Sequence, residues 1–413
     1  MRGWISPDVP SLVDGGTEHA AGLQLHDTAS GTLTDVLSGL DATRPFRMYV
    51  CGITPYDAAH LGHASTYVAF DLVQRIVRDA GHAVRYVQNV TDVDDPLLER
   101  AIMTGDHWSD LAEREIERFR IDMQALRVLA PDEYVGAVES IPDVIQLVEQ
   151  LKGLGVAYQV DDDWYFDITA DPKFGDVARM SDTDMIGFFG ERGGDPDRPG
   201  KRNRLDPLLW MAQKGDDPSW ESLLGRGRPG WHIECVAIAN AGLDPHFDLQ
   251  GGGSDLVFPH HQMCASISRT LTRLDFARHY AHTGMVALDG EKMSKSKGNL
   301  EFVSRLRAQG HDPMAIRLAL LSQHYRSDWE WTPEHLLTAT ERLARWSAAV
   351  ARPATPDSGH LVSAMRSALA QDLDTASAVA AIDEWCVTDG DSPEGGAMAA
   401  RAIDALLGIS LHG

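Results

Sequence analysis

Apolar positions along this chain recur with two periods, and the order in which the periods alternate predicts an open α/β sheet. Phe46 to Cys51 is a short apolar run closed by Gly52, the pattern of a strand. Ala64 to Arg78 sets Val68, Leu72, Ile76 and Val77 on one face at helical spacing. After Gly81, Ala83 to Val90 reads as a second strand. Strand, helix and strand within about 45 residues make the crossover unit of a parallel sheet, which is nearly always right-handed.

The stripe Leu111, Ile116, Phe119, Met123 and Leu126 predicts a helix starting at Ser109, and Ser140 to Lys152 predicts another that stops at Gly153 and Gly155. Val156 to Tyr158 and Trp164 to Phe166, with acidic residues Asp161 to Asp163 between them, resemble a hairpin; Asp171 to Asp206 reads as loop. A second alternating run then follows: strand Leu208 to Ala212, helix Trp231 to Ala241, strand His246 to Gln250, helix Leu256 to Arg273 and strand Ala281 to Leu288. From Asp312 the pattern is helical, broken at Pro353 to Gly359 and Asp389 to Gly396. The expected division is an N-terminal arm (1–45), a nucleotide-binding catalytic domain (46–130 and 207–300), an inserted subdomain (131–206) and a C-terminal helical domain (301–413).

Composition narrows the partners. With 37 basic against 61 acidic residues the formal charge is -24, which on average repels nucleic acid, because polyanion affinity rests on Lys and Arg contacts. Met1 to Pro10 holds no apolar run of the signal-peptide kind, and Ala315 to Leu321 is broken by Arg317, far short of a membrane span. A cytoplasmic protein with no membrane partner is expected. Cys51, Cys235, Cys264 and Cys386 are too few and too scattered for a disulfide framework, which leaves metal binding or burial.

Two motifs carry chemistry. His60-Leu-Gly-His63 stands where the first strand turns into its helix, and unpaired N–H groups with the helix dipole favour an anion there. Gly62 allows close backbone approach, and both imidazoles can donate to phosphate; alone, the motif is also compatible with two histidines that merely begin a helix. Lys292-Met-Ser-Lys-Ser296 puts Lys292 and Lys295 on a Ser- and Gly-flanked loop that can close over polyphosphate as pyrophosphate leaves; alone, it could be a solvated basic turn. In this order and flanking two half-sheets, the pair points to a carboxylate activated by ATP as an adenylate.

With these motifs the chain resembles the class I aminoacyl-tRNA synthetases, and specifically the cysteine branch. The resemblance runs through Tyr49-Val-Cys-Gly-Ile-Thr-Pro-Tyr-Asp57, Asn89-Val-Thr-Asp-Val-Asp-Asp95, Gly227-Arg-Pro-Gly-Trp-His-Ile-Glu-Cys235, Gly251-Gly-Gly-Ser-Asp-Leu-Val-Phe-Pro-His-His261 and His324-Tyr-Arg-Ser327. It implies a Rossmann-like parallel sheet with an inserted subdomain and a helical bundle, ATP with Mg²⁺ as substrate, and one Zn²⁺ on Cys51, Cys235 and His260. Three protein ligands leave a position for the thiol of L-cysteine, which binds Zn²⁺ far better than a serine hydroxyl does. It further implies that Thr54 and Thr66 contact the adenylate, that Asn89 and Thr91 hold its amino group or phosphate, and that Trp231 walls the cysteine pocket. Gly253, Ser254 and Asp255 would meet the ribose and Val286 the adenine. Cys264 departs from the synthetases, which place a Glu ligand near this point; four residues after His260, it is either a fourth ligand or a packed neighbour.

The acceptor is a separate question. A tRNA ligase of this branch continues into an anticodon-reading domain, whereas 25 residues follow Thr388 here, and Pro353 to the C-terminus carries nine acidic against two basic residues. Glu191-Arg-Gly-Gly-Asp-Pro196, Asp94-Asp95-Pro96 and Ile53-Thr-Pro55 are similar to the mycothiol ligases, relatives of cysteinyl-tRNA synthetase that join cysteine to the amine of glucosaminyl-inositol. The resemblance implies three small-molecule substrates, L-cysteine, ATP and glucosaminyl-inositol, with Glu191, Arg192 and Asp195 at the sugar; that loop could equally be solvated. A monomer is expected, though no sequence feature reports the oligomeric state. A shortened cysteinyl-tRNA synthetase and an inactive cysteine- or zinc-sensing relative are the alternatives.

Overall fold

The computed structural model describes residues 1–12, 22–41, 43–56, 59–288, 290–293 and 299–411, without the side chain of Lys292. The Lys292-to-Ser296 motif therefore lies largely outside the described residues, Lys295 entirely so.

In the arm, β1 (Gln24–Asp27) and β2 (Thr32–Asp35) form an antiparallel pair. The predicted crossover unit follows as β3 (Phe46–Val50), α1 (Leu61–Asp79) and β4 (Val84–Val90). Next come α2 (Asp95–Thr104), α3 (Trp108–Ala125), β5 (Glu133–Gly136) and α4 (Ala137–Gly153). The insertion contributes β6 (Ala157–Val160), β7 (Asp163–Phe166), α5 (Asp182–Glu191), β8 (Leu208–Ala212) and β9 (Gly227–Pro229). The chain re-enters the main sheet with α6 (Trp231–Leu243), β10 (Phe247–Gly253), α7 (Gln262–Thr272) and β11 (Ala277–Thr283). A small sheet and the helical region complete it: β12 (Val286–Leu288), β13 (Glu291–Lys292), α8 (Val303–Ala308), α9 (Pro313–Leu321), β14 (Trp329–Glu330), α10 (Pro333–Val350), α11 (Gly359–Ala370), α12 (Thr375–Val387) and α13 (Gly395–Leu407).

The central sheet runs β11-β10-β3-β4-β5, and every pairing in it is parallel. From β3 the chain builds outward through β4 and β5, then returns to the other side of β3 with β10. Strand order reverses there, so the carboxyl ends of β3 and β10 open a crevice where the ligands of such sheets bind. Cys51 N–H donates to Gly251 O at 3.1 Å across the seam. Gly52 is required beside it, since a Cβ at that position would lie 1.7 Å from Asn89 O.

Several boundaries differ from the pattern reading, each for a local reason. β5 joins the central sheet beside β4, whereas β8 and β9 extend the antiparallel sheet of the insertion, so the sheets change hands at other residues than 131 and 207. The stretch read as loop holds α5, whose Ser181 side chain caps Asp184 N–H; Gly187 and Gly190 weaken its helical signal. The helix expected from Leu256 starts at Gln262, because Phe258 is extended (φ -139°) and Pro259 has no N–H to continue the ladder. The expected strand Ala281 to Leu288 breaks at Gly284, whose N–H turns to Tyr325 O at 2.7 Å.

The helical region docks on α1 through buried charges. Asp71 accepts from Arg75 Nε at 2.7 Å, from Leu129 N–H at 2.8 Å and from Arg317 Nη2. Arg317 also donates to Leu407 O (2.7 Å) and Leu126 O (2.8 Å), and Arg75 to Asp404 O (2.9 Å). Both arginines and the carboxylate are fully buried, so the knot joins α1, α9 and α13 with its hydrogen-bonding capacity met. Among the described residues, no helix is long and apolar enough to cross a membrane.

Candidate active site

A cavity of about 350 Å³ occupies the crevice. Its wall gathers residues from distant parts of the sequence: Cys51 and Thr54 after β3, His60, His63 and Thr66 at the start of α1, Asn89 and Thr91 at the end of β4, Trp231 and Cys235 on α6, Gly253, Asp255 and His260 after β10, and Val286 on β12. Of the described residues expected at the nucleotide and the amino acid, Ser254 is outside this lining; the strand that ends at Lys292 leads to the lining residue Met293. Met293 N–H donates to Val286 O at 3.1 Å, which fixes both residues in the cavity wall.

His60 caps α1: its Nδ1 accepts Gly62 N–H at 3.1 Å, so Nε2 carries the proton and can donate. The His63 ring stacks on it at 3.8 Å between centroids. Both rings therefore sit at the positive end of a 19-residue helix. Thr66 Oγ1 and Thr283 Oγ1 are 2.8 Å apart, and Asn89 ties Gly52 N–H (2.8 Å) to Thr91 Oγ1 (3.2 Å).

Deeper in, Cys51 Sγ, Cys235 Sγ and a ring nitrogen of His260 lie within 4.8 Å of one another, all buried. His260 Nε2 is 3.2 Å from Cys235 Sγ. Donors on a tetrahedral zinc with Zn–S of about 2.3 Å sit roughly 3–4 Å apart, so the trio fits one face of such a site as it stands. Burial pushes the Cys51 and Cys264 thiols up. For Cys235, burial acts upward too, but hydrogen bonds from Cys264 and Cys51 and the neighbouring His260 outweigh it and hold this thiol well below its usual value. Cys264 Sγ donates to His232 O at 3.3 Å and lies 3.8 Å from His260 Nε2, one step outside the trio. Trp231 stacks on His260 at 4.3 Å and 25°.

A second cavity, about 240 Å³, lies on the other side of Trp231, which lines both. Arg192 and Asp195 line it; Glu191, exposed at the end of α5, does not. Arg192 Nη1 donates to Asp255 O (2.6 Å) and to Phe258 O, clamping the insertion onto the turn that carries His260. Asp195 accepts from Lys201 Nζ (2.9 Å) and Tyr165 Oη.

Residues 40–341 match the model of the family described as tRNA synthetases class I (C) catalytic domain. The L-cysteine:1D-myo-inositol 2-amino-2-deoxy-alpha-D-glucopyranoside ligase of Kribbella flavida is 58% identical over 412 residues, covering 100% of both chains. The ligase of the same name from Streptomyces griseus subsp. griseus is 56% identical over 417 residues, again with 100% of both covered. The chain belongs to this ligase family. Among solved structures, Mycobacterium tuberculosis methionyl-tRNA synthetase in complex with methionyl-adenylate shares the fold of these ligases at a TM-score of 0.63 and 15% identity, over 88% of this chain and 92% of that one. The Agrobacterium radiobacter K84 agnB2 LeuRS in its ternary complex gives the same TM-score at 12% identity, over 91% and 85%.

Around the trio, this member of the ligase family carries a buried polar layer that the motifs did not single out. His232 Nδ1 lies 3.1 Å from His260 Nδ1. His261 Nε2 is 3.2 Å from Cys51 Sγ and 3.0 Å from Gln250 Nε2, and His261 Nδ1 is 2.7 Å from His282 Nε2. Burial holds His232 and His261 well below the usual histidine range and brings His282 to about 3, so these rings are neutral near pH 7. His232 and His261 stand inside the quoted motifs, but nothing in the motifs assigns either of them a role.

Proposed function

We propose that the chain joins L-cysteine to the 2-amino group of glucosaminyl-inositol at the expense of ATP, through cysteinyl-adenylate, releasing pyrophosphate and AMP. One observation carries the reading: the Cys51, Cys235 and His260 trio and the His60 and His63 start of α1 line one cavity, and Trp231 lines both this cavity and a second one of about 240 Å³. The relatives' names supply the identity of the acceptor.

Cys51, Cys235 and His260 are the residues that would hold Zn²⁺, which supplies a thiol-preferring fourth position. The cysteine carboxylate attacks the α-phosphorus of ATP, bound with Mg²⁺, in line. His60 Nε2–H and His63, at the N-terminus of α1, stabilise the developing charge, with Lys292 and Lys295 assigned to the departing pyrophosphate. Thr54, Thr66, Asn89, Thr91, Gly253, Ser254, Asp255 and Val286 are assigned to the nucleotide and the amino acid. The amine then attacks the adenylate carbonyl, with Arg192 and Asp195 near the sugar, and AMP leaves.

The test is AMP release from ATP and L-cysteine with either glucosaminyl-inositol or tRNA added. Turnover with the amino sugar alone is expected. Turnover with tRNA alone would establish a shortened synthetase instead, and the absence of cysteine-dependent pyrophosphate exchange would favour the sensing relative.

A further inference from the structure

Four carboxylates line the second cavity: Asp94, Asp95, Asp163 and Asp195. Three are matched to cations, Asp95 to Arg228, Asp163 to Arg198 and Asp195 to Lys201. Asp94 has no such ion pair among the described residues. One of its oxygens caps α2 by accepting Asp95 N–H at 2.9 Å, which leaves the other for the cavity. It shares the cavity wall with Trp231 and with His232, which touches the donor trio through His260, and it lies near enough for Arg228 and His260 to act on its charge. The other candidate bases are placed elsewhere: Asp92 and Glu234 line neither cavity, and His232 Nδ1 faces His260.

We propose that Asp94 is the general base of amide formation, taking the proton that the acceptor amine loses. This rests on the ligase reading above. The amine nitrogen bonds to the adenylate carbonyl carbon, the bond from that carbon to the phosphate oxygen breaks, and AMP departs with the electron pair. The nitrogen's proton passes to the free Asp94 oxygen and from there to solvent. Adenylate formation needs no such base, since a carboxylate is already the nucleophile. Crowding by the surrounding protein holds the Asp94 carboxyl up at about 6, against the pull of Asp95 N–H and Arg228, and Asp95 beside it adds like charge. A base poised just below neutral pH is ionised at work and still accepts a proton readily.

Asp94→Asn is the informative variant because asparagine caps a helix as well as aspartate does, so α2 keeps its N-terminus while the base is removed. Both half-reactions are measured: cysteine-dependent ATP–pyrophosphate exchange, and single-turnover transfer from preformed adenylate to glucosaminyl-inositol. Transfer by Asp94→Asn is expected to fall at least ~100-fold with exchange within about threefold of wild type, and Asp94→Glu to recover roughly tenfold. The rise of wild-type transfer with pH is expected to lose its limb near pH 6 in the Asn variant. Transfer within about threefold of wild type, or a parallel fall of both half-reactions in the folded Asn and Glu variants, overturns the assignment. If the wild-type protein itself transfers nothing to the amino sugar, the ligase reading fails first, independently of Asp94.

Discussion

His232 holds the back of His260: their Nδ1 atoms are 3.1 Å apart while His260 Nε2 points at Cys235 Sγ. Only one of the two Nδ1 atoms can donate. With Nε2 directed at the thiol pair, His260 keeps its proton on Nδ1 and His232 accepts it, so His232 fixes both the tautomer and the ring plane of a metal-facing imidazole.

Replacing His232 by Ala should weaken zinc binding about 10–100-fold without abolishing it, the usual effect of losing an outer partner. Competition with a chelator, read as residual zinc per chain, checks this. His232→Asn, which restores an acceptor, should recover part of the loss.

Cys264 and Cys235 should separate cleanly. Cys264 Sγ reaches His232 O and lies 3.8 Å from His260 Nε2, outside the trio, so Cys264→Ala is expected to retain about one zinc per chain, whereas Cys235→Ala and Cys51→Ala should lose it. Metal analysis of the purified variants decides; a metal-free Cys264→Ala would make that thiol the fourth ligand.

A methyl group at residue 62 should disable the nucleotide side alone. A Cβ there would sit 2.8 Å from His60 Cε1 and 2.9 Å from Nδ1, displacing the ring that caps α1. Gly62→Ala is therefore expected to cut pyrophosphate exchange by about 100-fold, the scale of an ångström-sized misplacement, while zinc content stays at the wild-type level.

Asp94 also makes a stability prediction with a definite sign. Its carboxyl is raised in the folded chain, so its favourable contribution is complete below the unfolded value of 3.8 and is lost as pH rises through about 6. At pH 8 the ionised group strains the fold, and Asp94→Asn should raise stability there by ~1–2 kcal/mol, with the cavity's solvent screening limiting the gain. At pH 4 the variant and wild type should unfold within about 0.5 kcal/mol of each other. Denaturant titrations at the two pH values test it.

The parts of this site that lie in contiguous runs were legible before any coordinates. His60, Gly62 and His63 form such a run, and Cys51, Cys235 and His260 each sit inside a long motif. The parallel crossover unit was equally plain, because β3, α1 and β4 carry clean periods. What stayed hidden was set by packing between segments distant in sequence. The β5 strand is four residues long and reveals itself only beside β4, and His232 matters only because the turn before α7 lays His260 against α6. Likewise, the motif gives no sign that Arg192, besides lining the second cavity, donates through Nη1 to Asp255 O and Phe258 O.

The knot of Asp71, Arg75 and Arg317 makes the C-terminal helices part of the catalytic body rather than an attachment to it. Cutting the chain after the lysine loop would strip Asp71 of Arg317 and Arg75 of Asp404 O, leaving both ends of a buried pair open on α1, the helix whose first turn carries His60 and His63. The fragment that contains every motif of adenylate chemistry would then lack the anchor that holds its phosphate-binding helix in place, and a working ligase cannot be trimmed to its motifs.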